Sequence, residues 1–303
     1  MTKGSTVSVP LAYLTIVAVW STTPLAIQWS AVGTTFAFAV MARMVIGLVV
    51  ALVLVVLWRT GLPLHRRARR SYLCGGLGTF GAMLATYWGA RHIDSGLVSV
   101  MFGLTPLVTS LFAALWLGED ALRPSRLAGL VLALCGLAVI FVTSHEVAGP
   151  RAVYGIAALL VAVIIYSASL VGLKRIGDHS PPLATTAGTL AVAVPLFIAT
   201  WWLTDRGLPA AVPPRAGAAI VYLGCFGSVL GFALYYYVIK HLEAGKVALI
   251  TLITPVLALL LGNLANGEAV EPRVWVGAGL ISAGLVLHRG RACLPRSAGT
   301  VEI

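Results

Sequence analysis

The chain reads as an all-α polytopic membrane protein of about ten transmembrane helices, in two inverted five-helix repeats around a central cavity. Composition sets the class. Hydrophobic residues fill 59% of the 303 positions and charged residues only 10%; the mean hydropathy is +0.96. A soluble globule of this makeup would expose apolar surface almost everywhere. The repeat sets the architecture. Tyr87, His92, Gly96, Thr105-Pro106 and Gly118-Glu119 return 149 residues later as Tyr236, His241, Gly245, Thr254-Pro255 and Gly267-Glu268. Upstream, Gly75 and Gly78 match Gly224 and Gly227. Duplicated membrane units are above all a transporter architecture.

A bilayer-spanning helix needs roughly 17 to 25 residues. Apolar runs of that order fall at 10–29, 35–58, 71–90, 96–117, 125–143, 152–172, 183–203, 216–238, 246–265 and 273–288, the last one short. The run from Val9 to Trp29 is too long for a signal-peptide core. Its polar cluster Ser21-Thr22-Thr23 also lacks a small-x-small exit pattern, so it is expected to stay as the first span. Turn formers at Gly61-Leu62-Pro63, Gly149-Pro150, Pro181-Pro182 and Pro213-Pro214 separate the runs. Residues 10–143 and 152–288 are thus the expected repeats, and 289–303 a tail.

Lys and Arg orient these spans. One face collects Lys3, Arg59, Arg66, Arg67, Arg69, Arg70, Arg123, Arg126, Lys174, Arg175, Lys240, Lys246, Arg289, Arg291 and Arg296. The other collects Arg91, Arg151, Arg206, Arg215 and Arg273. Basic loops stay inside, so both termini are expected in the cytoplasm. The net charge of +11 has the same origin, because its densest cluster, Arg66 to Arg70, sits in an inner loop facing anionic headgroups. No nucleic-acid role is assigned. Five spans is an odd number, so the second copy starts from the opposite side. The halves are inverted, and a substrate site is expected near the midplane between them.

Within the spans, Arg43 is the exceptional charge. Burying a cation costs at least a few kcal/mol on insertion scales, so such residues face protein or a watery cavity. Arg43 also lies about two turns, roughly 10 to 12 Å, from the outer end of its span. Snorkelling to headgroups and attraction of an anionic or zwitterionic substrate both remain open. All ten acidic residues fall in loops, span ends or the tail, which favours facilitated diffusion or exchange over carboxylate-driven proton antiport. His92 and His241 read as solvated or packing residues. Pro106 and Pro255 lack an amide proton, which frees the carbonyls of Phe102 and Thr251 near mid-span; each is a candidate hinge. Cys74, Cys135, Cys225 and Cys293 are scattered without ligand spacing, so no disulfide, metal site or cofactor is expected.

Trp20-Ser21-Thr22-Thr23-Pro24, Ala42-Arg43 and the repeated Gly…Thr-Pro…Gly-Glu series resemble the EamA family of the drug/metabolite transporter superfamily, over roughly residues 10 to 288. The resemblance implies ten helices and a cavity lined by spans one, three, four, six, eight and nine. It also implies a permease of small metabolites in a bacterial plasma membrane, most often an exporter of amino acids or related organic solutes. Multidrug or cation efflux by proton antiport and a non-transporting assembly subunit are the alternatives. On those spans, Trp20, Tyr87, Tyr166 and Tyr236 are the candidate aromatic contacts, offering apolar area plus a polar tip. Ser21, Thr79 and Ser228 are candidate polar contacts beside Arg43; Thr22, Gln28, Ser99, Ser167, Thr251 and Asn263 could complete the lining. The second half departs from the pattern, with Tyr166-Ser167-Ala168-Ser169 lacking the proline and no counterpart to Arg43. One chain carries both halves, so a monomer suffices.

Overall fold

The computed structural model describes residues 8–118, 124–143, 150–205, 207–241, 250–268 and 271–289. Among these, every regular element is helical. In chain order they are α1 (Val9–Ala31), α2 (Phe36–Leu57), α3 (Arg66–Gly89), α4 (Ser95–Phe102), α5 (Thr105–Leu117), α6 (Pro124–Thr143), α7 (Pro150–Ile176), α8 (Pro182–Asp205) and α9 (Pro214–Tyr222). A π-helical stretch, Leu223–Leu230, follows, then α10 (Gly231–His241), α11 (Ile250–Asn266) and α12 (Pro272–Arg289). The tail, Glu119 and Gly245 lie outside the described residues.

Six rods are long and apolar enough to cross a membrane: Val9–Ala31, Phe36–Leu57, Ser95–Leu117, Arg151–Ile176, Pro182–Asp205 and Pro214–Tyr235. The molecule is therefore a multi-pass membrane protein. α3 falls outside that set because it opens on Arg66, Arg67, Arg69 and Arg70 and is rich in glycine. In α11 the apolar run Ile253–Asn266 is short. Leu14, Val53, Val56, Leu77 and Leu203 stand exposed on the rods, the outward apolar surface that lipid covers.

Packing pairs the N-terminal rods with the C-terminal ones. α3 lies against α7 and α8, while α9, the π stretch and α10 lie against α1 and α2. α2 runs along α8, α4 along α11 and α6 along α12. Exchanging the first set of rods for the second maps this pattern onto itself. The backbone repeats too: Gly118 and Gly267 end α5 and α11 with φ of 68° and 64°, a left-handed conformation that glycine adopts without Cβ strain.

The two Thr-Pro steps are unequal. The rod expected at 96–117 breaks at Gly103-Leu104. Gly103 N–H donates to the Ser99 and Val100 carbonyls at 3.1 and 3.0 Å, and Leu104 N–H to Met101 at 3.1 Å. Pro106 then sits in the first turn of α5, where a missing amide proton costs nothing. Pro255 is carried inside α11 without a break. The broken rod leans on it, since a Cβ at Gly103 would lie 3.6 Å from Pro255 Cγ.

Small residues allow the close crossings. At Gly188 of α8 a Cβ would stand 2.5 Å from Cγ of Tyr72 in α3, whereas at Gly279 of α12 it would meet nothing within 4 Å. Gly188→Ala should lower stability by about 1–3 kcal/mol through overpacking. Gly279→Ala should be neutral or slightly stabilising. Thermal melts of both variants in detergent check the contrast.

Candidate functional site

A cavity of about 720 Å³ lies between the two halves. It reaches Lys174, two residues from the end of α7, and Thr186 in the first turns of α8. Towards the opposite end its lining reaches Ile27, Thr86 and Val98. We call the end where α4 begins the shut end, because α4 and α11 pack closely there at Gly96 and a polar cluster sits beyond the lining, and the Lys174 end, where α1 and α3 begin, the open end. Hydroxyls from Thr23, Thr79, Ser99, Thr109, Thr189 and Ser228 give the wall its polarity. Among the described lining residues the charged ones are Arg43 and Lys174, and none is acidic.

Arg43 turns into the bundle and not to headgroups. Its side chain is 3% exposed. Nε donates to Ser228 Oγ at 3.0 Å and Nη1 to Tyr87 Oη at 3.4 Å. Gly227 in the π stretch makes room for it, since a Cβ there would lie 3.2 Å from Nη2. Both partners are neutral, and among the described residues no carboxylate pairs with this guanidinium. A guanidinium has five donors in a planar fork suited to bidentate carboxylates. Arg43 thus presents buried positive charge, with donor capacity left over, to the cavity it lines.

The other candidate residues fall in three groups. Trp20, Thr79, Tyr166 and Ser228 line the cavity, as does Pro106. Tyr87 is 1% exposed and stands behind Arg43 as its hydrogen-bond partner, while Ser21 is buried at 1% without lining the space. The Tyr236 side chain lies outside the described residues; its neighbour Tyr235 lines the cavity. Tyr235 packs on Trp20 with ring centroids 4.9 Å apart, and Phe232 meets the same indole at 6.3 Å. Across the cavity Phe102 meets Tyr166 edge-on at 6.4 Å. Phe102, Phe232 and Lys174 were not singled out from the sequence for this wall; Phe102, one residue before the break at Gly103, was the most readable of them.

Several of the remaining polar residues serve the frame. Thr22 and Thr23 bond back to carbonyls one turn earlier, and Thr22 also meets Tyr222 Oη at 2.6 Å. Ser167 donates to the Thr105 carbonyl beside the break, at 3.4 Å. Thr251's side chain lies outside the described residues. His92 packs against Trp88 at 4.8 Å, and burial followed by Arg91 and Arg151 lowers its pKa, the state of a packing histidine.

The shut end holds a polar cluster. Gln28 donates to the Ile93 carbonyl at 2.8 Å and accepts from Asn266 Nδ2 at 3.4 Å. Asn266 also donates to Glu268 Oε1 at 3.0 Å. Ser95 Oγ lies 2.7 and 2.9 Å from the two Glu268 oxygens, and the Gly96 amide donates to Oε2 at 3.3 Å. Asp94, the N-cap residue of α4, makes no side-chain capping bond. Glu268 caps α4 from the other half of the molecule, where the helix dipole favours a negative charge. Burial, then the Glu268 charge, raises the Asp94 pKa above its usual 3.8.

A model of the EamA-like transporter family matches residues 8–142 and 153–289. The chain belongs to this family. Over 225 residues it is 30% identical to a protein of Streptantibioticus cattleyicolor described as a probable terminal-alkyne amino-acid exporter, the match covering 72% of each chain. An uncharacterized transporter of Archaeoglobus fulgidus is 27% identical over 222 residues, 70% of this chain and 75% of that one. One crystal structure aligns with a TM-score of 0.67 at 22% identity, over 92% of this chain and 95% of the other, a likeness of fold. This EamA-like protein is a membrane transporter and not an enzyme.

Removing the Arg43 partners should separate them by bond length. Ser228→Ala, which deletes the 3.0 Å bond, should lower thermal stability by about 1.5–3 kcal/mol. Tyr87→Phe, which deletes the 3.4 Å bond, should cost less. A denaturation series on both variants checks the order. At Asp94 the raised pKa means that the folded state disfavours the charged form. Its contribution is fully present below the unfolded pKa and is lost as pH rises through the folded one. Asp94→Asn should therefore be more stable than wild type at neutral pH, with the gap closing as pH falls towards 3.8, in paired melts.

Proposed function

We propose that this EamA-like transporter is a permease that exports small carboxylate-bearing metabolites, amino acids or related organic acids, by alternating access between two inverted five-helix repeats. The observation that carries this reading is the Arg43 guanidinium. It is buried, lines the cavity and has only neutral partners, so a substrate carboxylate supplies the charge that the protein does not. Trp20, Tyr235, Phe232, Phe102 and Tyr166 offer apolar and amphipathic contact to the rest of the solute, with Thr79 and Ser228 as hydrogen-bonding neighbours. Lys174 at the open end suits the entry of an anion. The amino-acid exporter among the relatives supports the substrate class.

Lys and Arg bias supports a cytoplasmic location for the open end and both termini, and hence loading from inside. The absence of acidic residues from the described lining supports facilitative or exchange transport, with Pro106 and Pro255 as bending points, in a molecule that works as a monomer.

Uptake into proteoliposomes across a panel of radiolabelled amino acids, organic acids and cationic dyes tests this. Saturable flux of carboxylate solutes, independent of an imposed pH gradient, is the expected result. Arg43→Gln should reduce that flux roughly tenfold or more, the loss of one charge-assisted pair, while the protein stays monodisperse. Flux of cationic dyes alone, or flux unaffected by Arg43→Gln, would overturn the assignment.

A further inference from the structure

At the shut end of the cavity one side chain, Glu268, makes several of the polar contacts among the described residues. Glu268 follows Gly267, whose positive φ turns the chain back so that the Glu268 amide donates to the Gly262 carbonyl at 3.2 Å. Asn263 Nδ2 donates to the Glu268 carbonyl at 2.9 Å and fixes the same turn. The carboxylate then projects over α11 onto the first residues of α4, where Ser95 and Gly96 donate to it. Space for this has been cleared at Gly262. A Cβ there would fall on Glu268 Oε2 and 2.9 Å from Ser95 Oγ. Directly beneath, α4 and α11 touch backbone to side chain. A Cβ at Gly96 would stand 2.5 Å from Leu259 Cδ2 and 3.0 Å from Leu259 Cα.

Further along the same pair of rods the contact persists at Gly103 and Pro255. Beyond that point Thr109, Ser110 and Ala113 of α5 line the open cavity. The two rods are thus closed like a pair of blades at the Glu268 end and spread at the other, with the Thr-Pro steps near the crossing.

We propose that Glu268 is the latch of the shut end: opening that end requires its carboxylate to leave Ser95 and the Gly96 amide, and the latch sets which side of the cavity is accessible at rest. This rests on the alternating-access reading. Several features fit the role of a latch better than that of passive packing. The residue is 8% exposed, yet it is carried on the turn after a helix and not within one, so it can move without unwinding α11. Two of its partners, Ser95 and Gly96, belong to the opposite half of the molecule. Its donors are a hydroxyl, a helix-terminal amide and an amide side chain. In the sequence repeat Glu119 corresponds to Glu268 and Gly245 to Gly96, while Ala244 stands where Ser95 does.

Thiol accessibility tests this. In a background with Cys74, Cys135, Cys225 and Cys293 replaced, Ser99→Cys puts a reporter on the cavity wall near the shut end. A membrane-impermeant maleimide is applied from either side, in right-side-out and inverted vesicles. The parent should label from the open side only. Glu268→Gln should raise labelling from the shut side roughly tenfold and lower it from the open side. Ser95→Ala, which spares the Gly96 amide, should give a smaller shift. Gly262→Ala, which crowds the carboxylate without removing it, serves if Glu268→Gln does not fold.

Unchanged labelling in folded Glu268→Gln or Gly262→Ala protein would overturn the latch. Counterflow of carboxylate solutes by the parent is measured in the same vesicles. A shift in labelling without any such flux would keep the latch and sink the metabolite reading; flux with no shift would do the reverse.

Discussion

The contact between α4 and α11 organises this transporter. It is where the first half of the chain meets the second at the shut end, and its tightness comes from Gly96, which lets Leu259 approach to backbone distance. Neighbouring geometry follows from it. Because α4 stops at Phe102 and resumes as α5 at Thr105, the rod can hold to α11 at one end and leave it at the other. In lipid there is little hydrophobic drive to pull helices together, so close packing and polar contacts must do it. Small residues at this crossing, and a polar cluster capping it, are the expected response to that constraint.

A second balance is struck around Arg43. A guanidinium buried with two neutral partners is unsatisfied by the usual standard for interior charges, which are paired or strongly shifted. The cavity tolerates it because it lines the space rather than filling it, and the π stretch supplies Ser228 and the gap at Gly227 where a regular helix would present a different face. π turns recur at functional sites for this reason. On the proposed reading, the cost of holding the charge there is offset when a substrate carboxylate enters. Binding energy and the stability of the empty carrier are therefore linked through one side chain.

Helix existence and the family were readable from the sequence because both rest on composition and on a long-range repeat, neither of which depends on side-chain direction. Rotation was not readable. Arg43 lies at a depth compatible with either headgroups or cavity, and only the phase of α2 against α3 and the π stretch decides between them. The Tyr235 ring makes the same point: neighbouring helical residues point about 100° apart, and the phase of its helix is what sets it against Trp20. Tyr87, whose ring also looked suited to a solute, is used up on Arg43. Glu268 was visible as a landmark of the repeat, yet its role needed α4, which lies more than 160 residues earlier in the chain.

The cavity's charge balance has an energetic consequence for the cell. On the proposed reading, a solute with net negative charge that is seated at Arg43 and moved without exchange, with no acidic residue in the described lining to titrate with it, would cross the bilayer as net charge. A membrane potential that is negative inside pushes such a solute outward, with about 2.3 kcal/mol for each charge per 100 mV. That corresponds to a concentration ratio of nearly fifty. For such a solute the voltage alone would supply a driving force for export.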